Sequence, residues 1–116
     1  DARRLGDVLV VAVNDDASVA ALKGAGRPIT AAGERAEIVA ALRSVDAVVV
    51  FEGATAVDVV RRLRPDVYAK GGDYDARANR PPEADAAEAL GGEVVFLPLV
   101  AGRSTRELAA RLRDRA

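Results

Sequence analysis

Apolar and polar positions along this chain alternate between two rhythms. Val8-Leu9-Val10-Val11-Ala12-Val13 is an unbroken apolar, largely β-branched run, the pattern of a strand covered on both faces. Asn14-Asp15-Asp16 closes it with turn chemistry, and the Gly-rich Lys23-Gly24-Ala25-Gly26-Arg27-Pro28 reads as a loop. Thr30 is placed to cap a helix from about Ala31 to Ser44, whose Ile38, Val39 and Leu42 share a face. Asp46 to Phe51 contains Val48-Val49-Val50, a second strand. From Thr55 the period changes again. Ala56, Val59, Val60 and Leu63 line one side, Arg61, Arg62 and Arg64 oppose them, and Pro65 ends the helix.

Val67 to Lys70 is a short strand, and Glu83 to Leu90 a helix stopped by Gly91-Gly92. Glu93 to Leu97 is the last strand, and Ser104 to Arg113 the last helix, with Leu108 and Leu112 one turn apart. Strand and helix alternate over short connections, which predicts an α/β fold with a parallel sheet and helices on both faces.

Composition narrows the function classes. At 116 residues this is one domain or part of one. Two Phe, two Tyr and no Trp leave the core to Val, Leu, Ala and Ile. Seventeen basic against eighteen acidic residues give no basic stripe of the kind nucleic acid demands. No apolar run approaches the roughly 18 residues of a membrane span, and no leader pattern is evident, so the expected location is the cytoplasm. The absence of Cys and His excludes disulfides, thiolate zinc sites and His-based nucleophilic catalysis within these residues. Asp1 to Gly6 reads as the last turn of a helix, basic residues followed by Gly at the C′ position. With no Met at position 1, this raises the expectation of a domain truncated at its N-terminus.

Two Gly-bearing loops follow strands, where ligands of open α/β sheets bind. Lys70-Gly71-Gly72-Asp73-Tyr74 follows the third strand. Its double glycine suits either a plain turn or a backbone lying against a ligand, with Lys70 reaching an anion. Gly102-Arg103-Ser104-Thr105 precedes the last helix. Ser104 and Glu107 fit a capping box. The same helix N-terminus, with the Ser104 and Thr105 hydroxyls and Gly102 beside it, also suits a phosphate. Lys23 and Arg27 flank a loop and read either as surface charge or as phosphate contacts. Arg35 stands in the first turns of a helix, where a cation opposes the dipole. Its partner is expected to be Glu34, Asp46 or a phosphate. Asn14, at a strand end, is a turn residue or a ligand contact. Neither Gly-x-Gly-x-x-Gly after a strand nor a P-loop is present.

Taken in order, these segments resemble the cytidylyltransferase-like nucleotidyltransferases. The likeness runs through Leu5 to Asp16, Gly33-Glu34-Arg35, Ala41 to Asp46, Lys70 to Tyr74 and Leu97 to Thr105. The pairing of Lys-Gly-Gly-Asp-Tyr with Gly-Arg-Ser-Thr looks most like the adenylyltransferases that make ADP-heptose from ATP and heptose 1-phosphate. The resemblance implies a Rossmann-like parallel sheet whose first, central strand lies outside this sequence. With that strand would go the family's His-x-Gly-His motif, without which the 116 residues are expected to be inactive. It implies Lys23 and Arg35 as catalytic charges. It implies nucleotide and phosphate contacts from Asn14, Lys70, Gly71, Gly72, Asp73, Tyr74, Gly102, Ser104 and Thr105. ATP is then a substrate alongside a sugar phosphate, Mg²⁺ arrives through the substrate phosphates, and no protein metal site is expected. Neither nucleic acid nor membrane is an expected partner, and a homodimer is left open. Two other readings stand beside it: transfer of CMP to an alcohol phosphate such as glycerol 3-phosphate, and a non-catalytic nucleotide-binding or assembly remnant. Arg106 stands where many relatives carry a second Thr, and Leu99 replaces an arginine of the glycerol-3-phosphate branch.

Overall fold

A computed structural model describes residues 1–72 and 79–116. A 3₁₀ turn, Ala2–Leu5, leads into strand β1, Val10–Asn14. Helices α1, Asp16–Lys23, and α2, Ala32–Ala40, precede β2, Ala47–Phe51. Then follow α3, Val57–Leu63, β3, Val67–Gly71, α4, Pro82–Ala89, β4, Glu93–Leu97, and α5, Thr105–Arg115. The fold is α/β with parallel strands, as the alternating pattern requires.

The strands form two parallel pairs. β1 runs beside β2, from Val10 opposite Ala47 to Asn14 opposite Phe51. β3 runs beside β4, from Val67 opposite Glu93 to Gly71 opposite Leu97. Among the described residues no ladder joins one pair to the other. The strands expected to be covered on both faces are therefore mostly half-buried. In β1 only Val13 is buried, and Val50 of β2 is exposed. A two-stranded platform is too narrow to cover every helix face laid on it, so the stripe expected on α2 is open too, with Ile38 and Leu42 exposed.

The tightest packing lies where α3 meets α4. Ala84 and Ala87 of α4 are wholly buried and Val60 of α3 nearly so. Small residues on α4 let the two helices approach closely. Gly92 serves the same junction: a Cβ there would sit 2.8 Å from the Pro65 carbonyl oxygen and 3.1 Å from that of Ala87.

Several local expectations are corrected. α1 was not predicted. Asp15, read only as a turn residue, caps it through the Ser18 amide at 2.9 Å. Thr30 is not the cap of α2; Ala31 holds that position. The end of α2 is satisfied by carboxylates instead, with Glu34 accepting from the Ala31 amide at 3.3 Å and Asp16 from the Ala32 amide at 2.7 Å. α2 also stops at Ala40, short of Ser44. Gly6 follows the first turn in extended geometry, φ −165°, and not in the left-handed form of a C′ glycine. α3 closes on a left-handed Arg64, φ 48°, immediately before Pro65.

Candidate active site

Four helices, α1, α3, α4 and α5, each begin after the carboxyl end of a strand. Their N-termini, with positive dipole ends, are therefore directed to the rim where Asn14, Phe51, Gly71 and Leu97 end their strands.

On the β1–β2 side, Arg35 is the organising residue. Its Nε donates to the Thr30 carbonyl at 2.9 Å, and its Nη2 to the Asn14 carbonyl at 2.8 Å and to Asp16 Oδ1 at 3.1 Å. The expected partners Glu34 and Asp46 are used elsewhere. Glu34 caps α2, and Asp46 accepts the Leu9 amide at 2.7 Å and lies 3.8 Å from Arg3. Arg35 thus braces the α1–α2 excursion against the end of β1, and so meets Asn14 through the latter's carbonyl. Beside it the Asp15 carboxyl is held below its ordinary range. The Ser18 hydroxyl is the main cause, then the Ser18 amide, with a smaller contribution from the Arg35 charge. Lys23 ends α1. Eight residues of helix separate it from the strand end by about 12 Å, and its side chain is exposed.

On the β3–β4 side, Lys70 is half-buried within β3 opposite Phe96. Gly72 continues the ladder, its amide donating to the Leu97 carbonyl at 3.3 Å, and turns with φ 133°, which glycine alone adopts easily. Gly71 is different: among the described residues no heavy atom lies within 4 Å of where its Cβ would be, and its φ is ordinary. Asp73 and Tyr74 lie outside the described residues. Arg80, just before α4, is ion-paired with Asp85 at 2.7 Å and Glu88 at 2.6 Å on that helix. Those bonds, Asp85 first, raise its already high pKa.

The last loop forms the capping box expected for it. Ser104 Oγ accepts from the Glu107 amide at 3.1 Å, while Glu107 Oε2 accepts from the Ser104 amide at 3.1 Å and from its hydroxyl at 3.0 Å. The amides of Thr105 and Arg106 are outside that exchange. Gly102, Arg103, Ser104, Thr105, Leu108 and Arg111 line an open depression of about 220 Å³. Arg103 belongs to the loop singled out from the sequence, whereas Arg111, with the other arginines of the last helix, was expected on a solvated face. The signal for Arg111 was present, because it stands seven residues after Ser104 and so returns to the same helix face.

The structure thus gathers Asn14 with Arg35, Gly71 and Gly72 with the end of β4, and Gly102, Ser104 and Thr105 with two further arginines. It sets Lys23 apart, at the far end of its helix. Among the described residues no three acidic side chains gather as a metal cage.

Comparison with known proteins gives consistent results. Residues 1–99 match the family described as cytidylyltransferase-like. The bifunctional protein HldE of Halorhodospira halophila is 50% identical over 98% of this chain, which spans 24% of that protein. HldE of Streptomyces coelicolor is 50% identical over 99% of the chain, again 24% of its length. HldE of Syntrophotalea carbinolica is 47% identical over 98%, or 23% of its length. The chain therefore spans about a quarter of these relatives. Among solved structures, a lipopolysaccharide core biosynthesis protein from Thermoplasma volcanium GSS1 superposes with a TM-score of 0.61 at 24% identity. That match covers 84% of this chain and 77% of the other, and it shows a shared fold.

Proposed function

The chain belongs to the cytidylyltransferase-like family, and from that membership we propose that it forms the larger part of a domain transferring AMP from ATP to a sugar 1-phosphate, with heptose 1-phosphate the sugar. The observation that carries this reading is the 50% identity to bifunctional HldE proteins along nearly the whole chain. The nature of the strand ends supports it: two consecutive glycines where β3 finishes and an arginine-lined depression at the start of α5.

The sugar-phosphate oxygen attacks the α-phosphorus of ATP. A new P–O bond forms as the α–β bridge breaks, and pyrophosphate leaves with the bond's electrons. Such chemistry needs alignment and neutralised charge more than a covalent intermediate. Arg35, fixed at the Asn14 carbonyl, supplies a positive charge whose position cannot drift. Lys23 supplies a second one from the far end of α1, on a long side chain. The exposed backbone at Gly71 lies along the nucleotide, with Lys70, Gly72, Asp73 and Tyr74 completing that loop. Gly102 and Thr105, with Arg103 and Arg111 in the same depression, receive the triphosphate. Ser104 joins them by exchanging its bond to Glu107 for one to phosphate. Mg²⁺ bound through the phosphates adds charge neutralisation. In this reading the domain is completed by a preceding strand carrying the family's His-x-Gly-His, so the 116 residues alone turn over nothing.

The test uses the longer protein that contains this chain. With ATP, Mg²⁺ and heptose 1-phosphate it is expected to release pyrophosphate, and with CTP and glycerol 3-phosphate it is not. Release only with the second pair would assign the site to CMP transfer. Silence with both, in a folded protein, would reject the enzyme.

A further inference from the structure

Two carboxylates reach far along the chain to an amide at the start of a helix. Glu83, buried in the first turn of α4, accepts through Oε1 the amide of Ala56, the N-cap of α3, at 2.7 Å. Asp16, the first residue of α1, accepts through Oδ1 the amide of Ala32, the first residue of α2, at 2.7 Å. A carboxylate there meets the positive end of the dipole, and α2 needs one, because Ala31 at its cap position has no side-chain acceptor.

Asp16 differs from Glu83 in what else the same oxygen holds. Its Oδ1 also accepts from Arg35 Nη2 at 3.1 Å. Arg35 lies in the second turn of α2, so the amide that starts the helix and the guanidinium that projects from it meet on one atom. Nη2 also donates to the Asn14 carbonyl, and Nε to the Thr30 carbonyl. Three acceptors around a planar, rigid group define its plane and its rotation. They take up the Nε and Nη2 edge, and the Nη1 end has no share in these bonds. Two of the three are backbone carbonyls. Asp16 is the acceptor that a side chain supplies, and the one that also pins the helix from which Arg35 projects.

We propose that Asp16 is a positioning residue for Arg35: its carboxylate fixes the start of α2 and the guanidinium together, and leaves Nη1 as the end presented to a phosphate oxygen. The use of that end by a substrate rests on the nucleotidyl-transfer reading; the fixing of Arg35 does not. Every group in the arrangement lies between Asn14 and Arg35, within the segment that joins β1 to β2. Asparagine keeps an acceptor oxygen for both donors without the charge, whereas alanine removes it.

Two measurements on the longer protein separate these claims. In hydrogen exchange read by mass spectrometry, Asp16→Ala is expected to speed exchange in the peptide that covers the start of α2, and Asp16→Asn to leave it near the parent rate. Unchanged exchange there in a folded Asp16→Ala protein overturns the proposal whatever the enzyme does. In the pyrophosphate assay, Asp16→Ala is expected to lower kcat/KM about tenfold, as for a misplaced catalytic group, with the KM for ATP or for the sugar phosphate raised. Asp16→Asn is expected to stay close to the parent. A smaller folded fraction lowers kcat alone, so a fall in kcat with both KM values unchanged overturns the positioning role. Equal damage in the two variants overturns it as well, since the negative charge and not the acceptor would then be at work. A parent protein that releases no pyrophosphate, but whose exchange responds as expected, would reject the enzyme reading alone.

Discussion

The α3–α4 junction and the α5 end of the molecule are built from similar ingredients and behave in opposite ways. α4 has weak amphipathic patterning and no side-chain cap at its start, yet its Ala84 and Ala87 are fully buried. α5 has a reciprocal capping box and a clear leucine stripe, yet Leu108 and Leu112 are 57% and 62% exposed. Local signals start a helix, but only complementary surface and close backbone approach dock it. The difference lies in residues that make room, Ala84, Ala87 and Gly92, more than in residues that are greasy.

The largest expected effect comes from closing that room. Gly92→Ala places a methyl group against two backbone carbonyls that have little space to yield. It is expected to cost about 1–3 kcal/mol, the range of overpacked cores, read as a lower melting temperature. An unchanged melt would mean that the junction is looser than its contacts indicate. Next is Arg35→Ala, which removes three hydrogen bonds at the end of β1. A loss of about 1–3 kcal/mol in urea unfolding is expected, since charge-assisted bonds are at stake. A stable but inactive variant would shift Arg35 from brace to pure substrate contact.

Leu112→Ala sits at the other pole: within about 0.5 kcal/mol of the parent 116-residue chain, as for most exposed positions. A larger loss would show α5 docked more firmly than its exposure implies. Gly71→Ala is expected to leave stability alone, because no described residue crowds the site. In the longer protein it is expected to raise the KM for ATP severalfold; unaltered kinetics would remove the Gly71 backbone from the nucleotide.

The smallest effect is one of pH. The Asp15 carboxyl is lowered from its ordinary 3.8 on folding. Its stabilising contribution is therefore complete above that value and fades as pH falls through the lower folded one. The melting difference between parent and Asp15→Ala is expected to be constant near neutrality and to shrink below pH 3.8. A difference that grows in acid would contradict the assignment.

Much of this fold was legible because its signals are local. All four strands fall within two residues of the runs that predicted them, and Ser104 with Glu107 formed the expected box, both partners lying in one turn. α1 was missed although its signal was present: Asp15 and Ser18 have cap spacing, and turn chemistry and cap chemistry use the same residue types. What was illegible is long-range. Arg35 takes its partners from Asp16 and from two backbone carbonyls, and a carbonyl carries no sequence signature. Glu83 looks like any acidic residue in a first turn until the fold brings Ala56 to it. Of the candidate site, the glycine positions and the α5 loop could be read from the chain, but the exposure of the leucine stripe could not. Periodicity names a face without naming what covers it.

The placement of the strand partners also bears on the order of events in folding. The register of each pair, Val10 opposite Ala47 and Val67 opposite Glu93, draws only on its own stretch of chain. A bond such as Glu83 to Ala56 has no geometry to form until both have condensed, and so belongs late on the pathway. Its removal is expected to quicken unfolding while refolding from denaturant keeps its pace, the two limbs of a chevron responding unequally.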